Sequence, residues 1–113
     1  MLKVYIDKPG FHAEGLYDDG TIIILKGSTI CPSFSTRIKG IPLAKELREN
    51  PEVVDDSWTV LKDSTLLSPS TAAQFVMGQS RDGYDAWKTE EGVSLGRYLE
   101  QHGIRSRRVR KKD

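Results

Sequence analysis

Two histidines, His12 and His102, stand ninety residues apart, and the chain has one cysteine, Cys31. A structural zinc site needs three or four converging ligands at pair spacings such as C-x₂-C or H-E-x-x-H, and no such pair occurs, so no metal and no cofactor is expected. Nucleophilic catalysis needs a thiol or hydroxyl beside a base, and no spacing brings either histidine to Cys31. The acidic pairs Asp18-Asp19, Asp55-Asp56 and Glu90-Glu91 lie beside turn signals, where solvated carboxylates are the default. No catalytic residue emerges, and the chain is expected not to be an enzyme.

Anion-binding chemistry has more candidates. The run Leu25-Lys26-Gly27-Ser28-Thr29 ends like a phosphate-binding loop but lacks the upstream glycine of G-x-x-x-x-G-K-[ST] and precedes no convincing helix. Either Lys26, Gly27 and Ser28 meet a phosphate, or a strand stops there with Ser28 bonding local backbone. Ser68-Pro69-Ser70-Thr71 is a helix start whose free N–H groups and dipole favour an anion near Ser68, Ser70 and Thr71; simple capping is the alternative. Phe75, Tyr84 and Trp87, the last followed by Lys88, either offer a stacking surface for a base or belong to the core.

Charge is segregated along the chain. Residues 1–104 carry 11 basic and 15 acidic side chains, a net charge of −4. The last nine residues carry Arg105, Arg107, Arg108, Arg110, Lys111 and Lys112 against one acid, a net charge of +5. Like charges repel and Val109 is the only large apolar residue there, so a basic, disordered tail is expected. Such a tail either neutralises phosphates with counterion release or serves as a solvated terminus.

The elements that must position these residues follow from periodicity. Leu2 to Ile6 alternates apolar and polar residues and ends at Asp7-Lys8-Pro9-Gly10. Phe11 to Tyr17, the turn Asp18-Asp19-Gly20 and the β-branched run Thr21 to Lys26 predict a β-hairpin. Ile22 to Leu25 is apolar on both faces, which predicts a central strand covered on both sides. Pro42 opens a helix at its first position, with Ile41, Leu43, Ala44 and Leu47 as its stripe, Arg37 and Ile38 as a backward extension, and Asn50-Pro51 as its end. Trp58 to Leu61 reads as a fourth strand. Ser68 then caps a helix that ends at Gly78, Arg81-Asp82-Gly83-Tyr84 and Glu91-Gly92 read as turns, and Ser94 caps a last helix that ends at Gly103.

The expected fold class is therefore α+β, a small antiparallel β-sheet with about three short helices packed on it. One domain is expected over residues 1–104, followed by the tail at 105–113. The longest apolar run, Ile22 to Leu25, has four residues, so no membrane span is expected, and the lone cysteine fits a reducing, cytoplasmic home.

The ordered series Ala13-Glu14-Gly15, Asp19-Gly20, Leu25-Lys26-Gly27-Ser28, Leu67 to Ala73, Val76-Met77-Gly78, Asp82-Gly83-Tyr84, Trp87-Lys88 and Glu91-Gly92 resembles a small domain of unknown function found C-terminal to GIY-YIG nuclease-like domains. It is also similar to the related RAMA domains, associated with restriction enzymes and adenine methylases. The resemblance covers about residues 11–95. It implies a non-catalytic module that accompanies DNA-processing enzymes in prokaryotes, and for RAMA relatives a role in recognising modified DNA. Where the family pattern has asparagine-glycine-tryptophan, this chain has Asp82-Gly83-Tyr84. The acid weakens a phosphate contact there, while Tyr84 retains a ring. No GIY-YIG catalytic domain is present in the sequence, so nuclease activity does not carry over. DNA is the first expected partner, and a nuclease or methylase protein the second.

Overall fold

A computed structural model describes residues 1–35 and 42–103. Strand β1 (Leu2–Lys8) buries Val4 and Ile6 and exposes Lys3 and Asp7, the period of two that its sequence carries. Pro9-Gly10 links it to β2 (Phe11–Asp18), which runs antiparallel with Leu2 opposite Tyr17 and Lys8 opposite Phe11. Asp19 (φ 46°) and Gly20 (φ 94°) then make a two-residue connection with positive φ at both positions, the geometry whose twist suits a hairpin. Strand β3 (Thr21–Ile24) returns along β2, and the Thr21 hydroxyl donates to the Asp18 carbonyl at 2.9 Å. The expected hairpin is present. It ends at Ile24 rather than Lys26, because the chain turns at Gly27 (φ 93°).

The fourth strand is a correction. Strand β4 is Ser64–Leu66, antiparallel to β3, and gives the sheet the order β1-β2-β3-β4. Trp58 to Leu61 forms no strand of the sheet, because Trp58 has φ 63° and Asp55 Oδ1 accepts from the amides of Ser57 and Thr59. That stretch makes only the isolated bridges Thr29–Thr59 and Val54–Val60.

Helix α1 (Leu43–Arg48) starts one residue after Pro42, which occupies the cap position rather than the first turn, and the helix stops before Asn50-Pro51. The backward extension through Arg37 and Ile38 lies outside the described residues. Helix α2 (Pro69–Met77) has the expected ends: Ser68 Oγ accepts from the Thr71 amide at 3.1 Å, and Gly78 closes it in the left-handed conformation. Where a turn was expected, Asp82 caps a short helix α3 (Gly83–Ala86) by accepting from the Tyr84 amide at 2.9 Å. Helix α4 (Leu95–Gln101) is capped by Ser94. The described residues thus hold four helices, one more than expected.

One core unites these elements. Val4, Ile6, Ala13, Ile22, Ile24 and Leu66 of the sheet meet Ala72, Ala73, Phe75 and Val76 of α2, Trp87, and Leu95 and Leu99 of α4. Each large side chain removed from water in this way contributes about 1.5–3 kcal/mol. Among the described residues, cover on both faces of β3 does not materialise. Ile22 and Ile24 are buried, whereas Ile23 pairs with Leu16 of β2 on the opposite face, and both stay half-buried. Lys3, Tyr5, Asp7, His12, Glu14 and Thr65 share that open face, exposed or half-buried.

Candidate functional site

The turn after β3 engages its own donors. The Gly27 amide donates to the Val60 carbonyl at 2.8 Å, and the Lys26 amide donates to Asp63 Oδ1 at 2.8 Å. Ser28 is 4% exposed, and its Oγ accepts from the Glu14 amide at 3.0 Å while donating to the Glu14 carbonyl at 3.3 Å. A carboxylate already stands where a phosphate would meet the Lys26 amide. The arrangement stitches this turn to β2.

The α2 helix start is likewise engaged. Ser68 caps the helix and donates to Thr71 Oγ1 at 3.0 Å. Ser70 Oγ accepts from the Gly83 amide at 2.9 Å, and Trp87 Nε1 donates to the Pro69 carbonyl at 3.1 Å. Gly83 lies so close to the Pro69 and Ser70 backbone that a Cβ there would overlap both. The space in front of the first turn is therefore filled by α3. Gly15 plays the matching role on the sheet, since a Cβ there would press on Ile22 and touch the Trp87 ring.

Trp87 is fully buried and Tyr84 is 5% exposed. Neither ring has an open face for a base, because each fills the space between α3, α2 and the sheet. Tyr84 also neighbours Tyr17, whose phenol is pushed up to about 12 by burial and by the Tyr84 hydroxyl beside it. Lys88 behaves differently. Its amide and carbonyl bond those of Tyr5 at 2.9 and 2.7 Å, so it continues the sheet beyond β1 with its side chain exposed. Among the described residues no hydrogen bond joins the Lys26–Ser28 group to the Ser68–Thr71 group. Arg105, Arg107, Arg108, Arg110, Lys111 and Lys112 lie outside the described residues.

Two features had no signal in the sequence. The first is Arg48, 6% exposed, whose guanidinium donates to the carbonyls of Phe75 (2.8 Å), Cys31 (2.7 Å) and Ser33 (3.0 Å). It lies 5.1 Å from the Phe34 ring centroid and 5.3 Å from that of Trp58. Burial lowers its pKa from the ordinary arginine value. On a six-residue helix an arginine reads as solvent-facing, and nothing in the spacing of Phe34 and Trp58 foretells this cage.

The second is a cleft of about 490 Å³ between the β1–β2 end of the open face and the 86–92 segment. His12 sits in it with Nδ1 3.3 Å from Asp7 and Nε2 3.4 Å from Glu14, which itself pairs with Lys3 at 3.3 Å. The Lys3 contact, ahead of His12, holds the Glu14 carboxyl below the usual carboxylate range against a smaller opposing effect of burial. Only the cross-strand register brings these residues together. His102, by contrast, stacks on Tyr98 at 4.0 Å, and among the described residues no hydrogen bond or ion pair joins either histidine to Cys31.

No curated protein and no solved structure matches this chain. A family model matches residues 4–99, extending past both ends of the motif series between residues 11 and 95 and taking in most of β1, all of β2, β3 and β4, and most of α4. The chain belongs to that family, described as a domain of unknown function, DUF4357.

Proposed function

We propose that this domain is a non-catalytic accessory module of a cytoplasmic, prokaryotic DNA-processing or restriction-modification system that contacts nucleic acid chiefly through its basic C-terminal stretch. The observation that carries this reading is the segregation of charge, +5 in the last nine residues against −4 in the rest. Phosphate neutralisation by clustered arginines is the dominant, sequence-independent source of affinity for nucleic acid. The engagement of the Ser28, Ser68 and Ser70 hydroxyls within the fold is consistent with placing that affinity outside the folded body. The resemblance to domains that accompany GIY-YIG nucleases and to RAMA domains supports the same setting.

The test is a fluorescence-anisotropy titration of duplex DNA with the full chain and with a full-length variant in which the six basic residues of the tail are glutamine. The intact chain should show a log–log salt slope of about −5 if all six side chains reach phosphates, and the variant a slope near zero. Equal slopes for the two proteins would overturn the reading. A second reading, docking onto a nuclease or methylase, is favoured by the open sheet face, where half-buried Leu16 and Ile23 lie among charged residues. It is the reading to adopt if a neighbouring nuclease or methylase forms a stoichiometric complex while DNA binds neither form of the chain.

A further inference from the structure

The cleft beside β1 places an aromatic ring and ammonium groups around one space. Tyr5 contributes a half-buried ring, 6.0 Å from the His12 ring and tilted 37° to it. Lys8 and Lys88 are exposed and both line the cleft, and neither forms an ion pair or side-chain hydrogen bond with another described residue.

The acids of this region are mostly committed. Asp7 faces His12 at 3.3 Å, and Glu14 is held by Lys3 and His12. On the cleft's lining Lys8 and Lys88 stand against Asp7 and Glu90, a balance that becomes an excess of one positive charge when His12 is protonated. The backbone fixes the spacing. Tyr5 and Lys88 are opposite each other in an antiparallel bridge, so their side chains share a face, whereas Lys8 has the parity of Val4 and Ile6 and joins the cleft's lining from the end of the strand.

An apolar ligand would leave the two ammonium groups unanswered, and a bare inorganic anion would leave the ring unused. A flat body with one anionic group uses both, since bases stack on aromatic faces and ammonium groups hold phosphate oxygens. The volume, about 490 Å³, lies inside the range of small-molecule sites. We propose that this cleft binds a nucleoside monophosphate unit, free or within a single strand, with Tyr5 against the base and Lys8 and Lys88 flanking the phosphate. Glu90 supplies an acceptor for an N–H or sugar hydroxyl of the same unit. The strand form rests on the nucleic-acid reading above; the free-nucleotide form does not.

Amide NMR spectra of the full chain, titrated with thymidine monophosphate, thymidine, inorganic phosphate and a short oligothymidylate, test the proposal. Thymidine monophosphate should move the signals of Tyr5, His12 and Lys88 saturably, at lower concentration than thymidine or phosphate alone. Lys8→Glu combined with Lys88→Glu should weaken that response at least about tenfold, as should Tyr5→Leu, with the remaining spectrum unchanged. Tighter binding of the oligonucleotide than of the mononucleotide assigns the site to a strand, and the reverse assigns it to a free nucleotide. Shifts confined to residues 104–113, or a response that survives both sets of substitutions, would overturn it. Because the tail variant reports on the other reading, a silent cleft with tail-dependent DNA binding sinks only this inference, and a responsive cleft with tail-independent binding sinks only the other.

Discussion

Arg48 illustrates how a single side chain can join pieces of chain that are distant in sequence. Its three carbonyl acceptors belong to the 31–33 segment and to α2, so one guanidinium fastens α1 to both. Arg48→Met keeps much of the apolar bulk but leaves those carbonyls without their donors, and should cost about 3 kcal/mol or more in urea denaturation. Arg48→Lys should recover only part of the loss, since an ammonium cannot spread its donors in a plane between two rings. Tyr17 gives a pH-dependent counterpart. Its folded pKa is raised to about 12 from 10.0, so its contribution is fully present below pH 10 and is lost as pH rises toward 12, where the unfolded chain ionises first. Tyr17→Phe should therefore flatten the alkaline fall in stability by up to about 1.4 kcal/mol per pH unit, read from denaturation midpoints across that range.

At the scale of elements, the ones with strong local chemistry were legible. Asp19-Gly20 specifies a tight hairpin whatever surrounds it, and Ser68-Pro69 with Gly78 marks both ends of α2. Trp58 to Leu61 misled because β-branched and aromatic residues suit a strand, while the positive φ at Trp58 and the Asp55 cap that bend this segment depend on its surroundings. Helix α3 was missed because its four residues are too few for a periodic signal. Its packing makes a sharp prediction. Gly83→Ala would drive a methyl into the Pro69 and Ser70 backbone, so it should destabilise the fold by about 1–3 kcal/mol and loosen Trp87, visible as a change in tryptophan emission. Ser68→Ala, which removes the α2 cap and the bond to Thr71 Oγ1, should cost about 1 kcal/mol with Trp87 emission unchanged.

Across the whole molecule, stability and affinity for nucleic acid are expected to reside in different parts. Among the described residues the last core side chain is Leu99, and the cluster of six basic residues begins at Arg105. Replacing the six basic residues of the tail with glutamine should leave the thermal midpoint unchanged while removing DNA affinity, a separation that calorimetry and anisotropy on the same sample would reveal. The class of fold, the hairpin, the capped α2 helix and the split of charge were all readable from the residues, because each depends on neighbours within a few positions or on a sum along the chain. The one-sided cover of the sheet, the burial of Tyr84 and Trp87, the Arg48 cage and the cleft where Tyr5 meets Lys88 were not. Each requires side chains far apart in sequence to arrive at one place, and that arrival is set by strand register and helix packing, which no local pattern encodes.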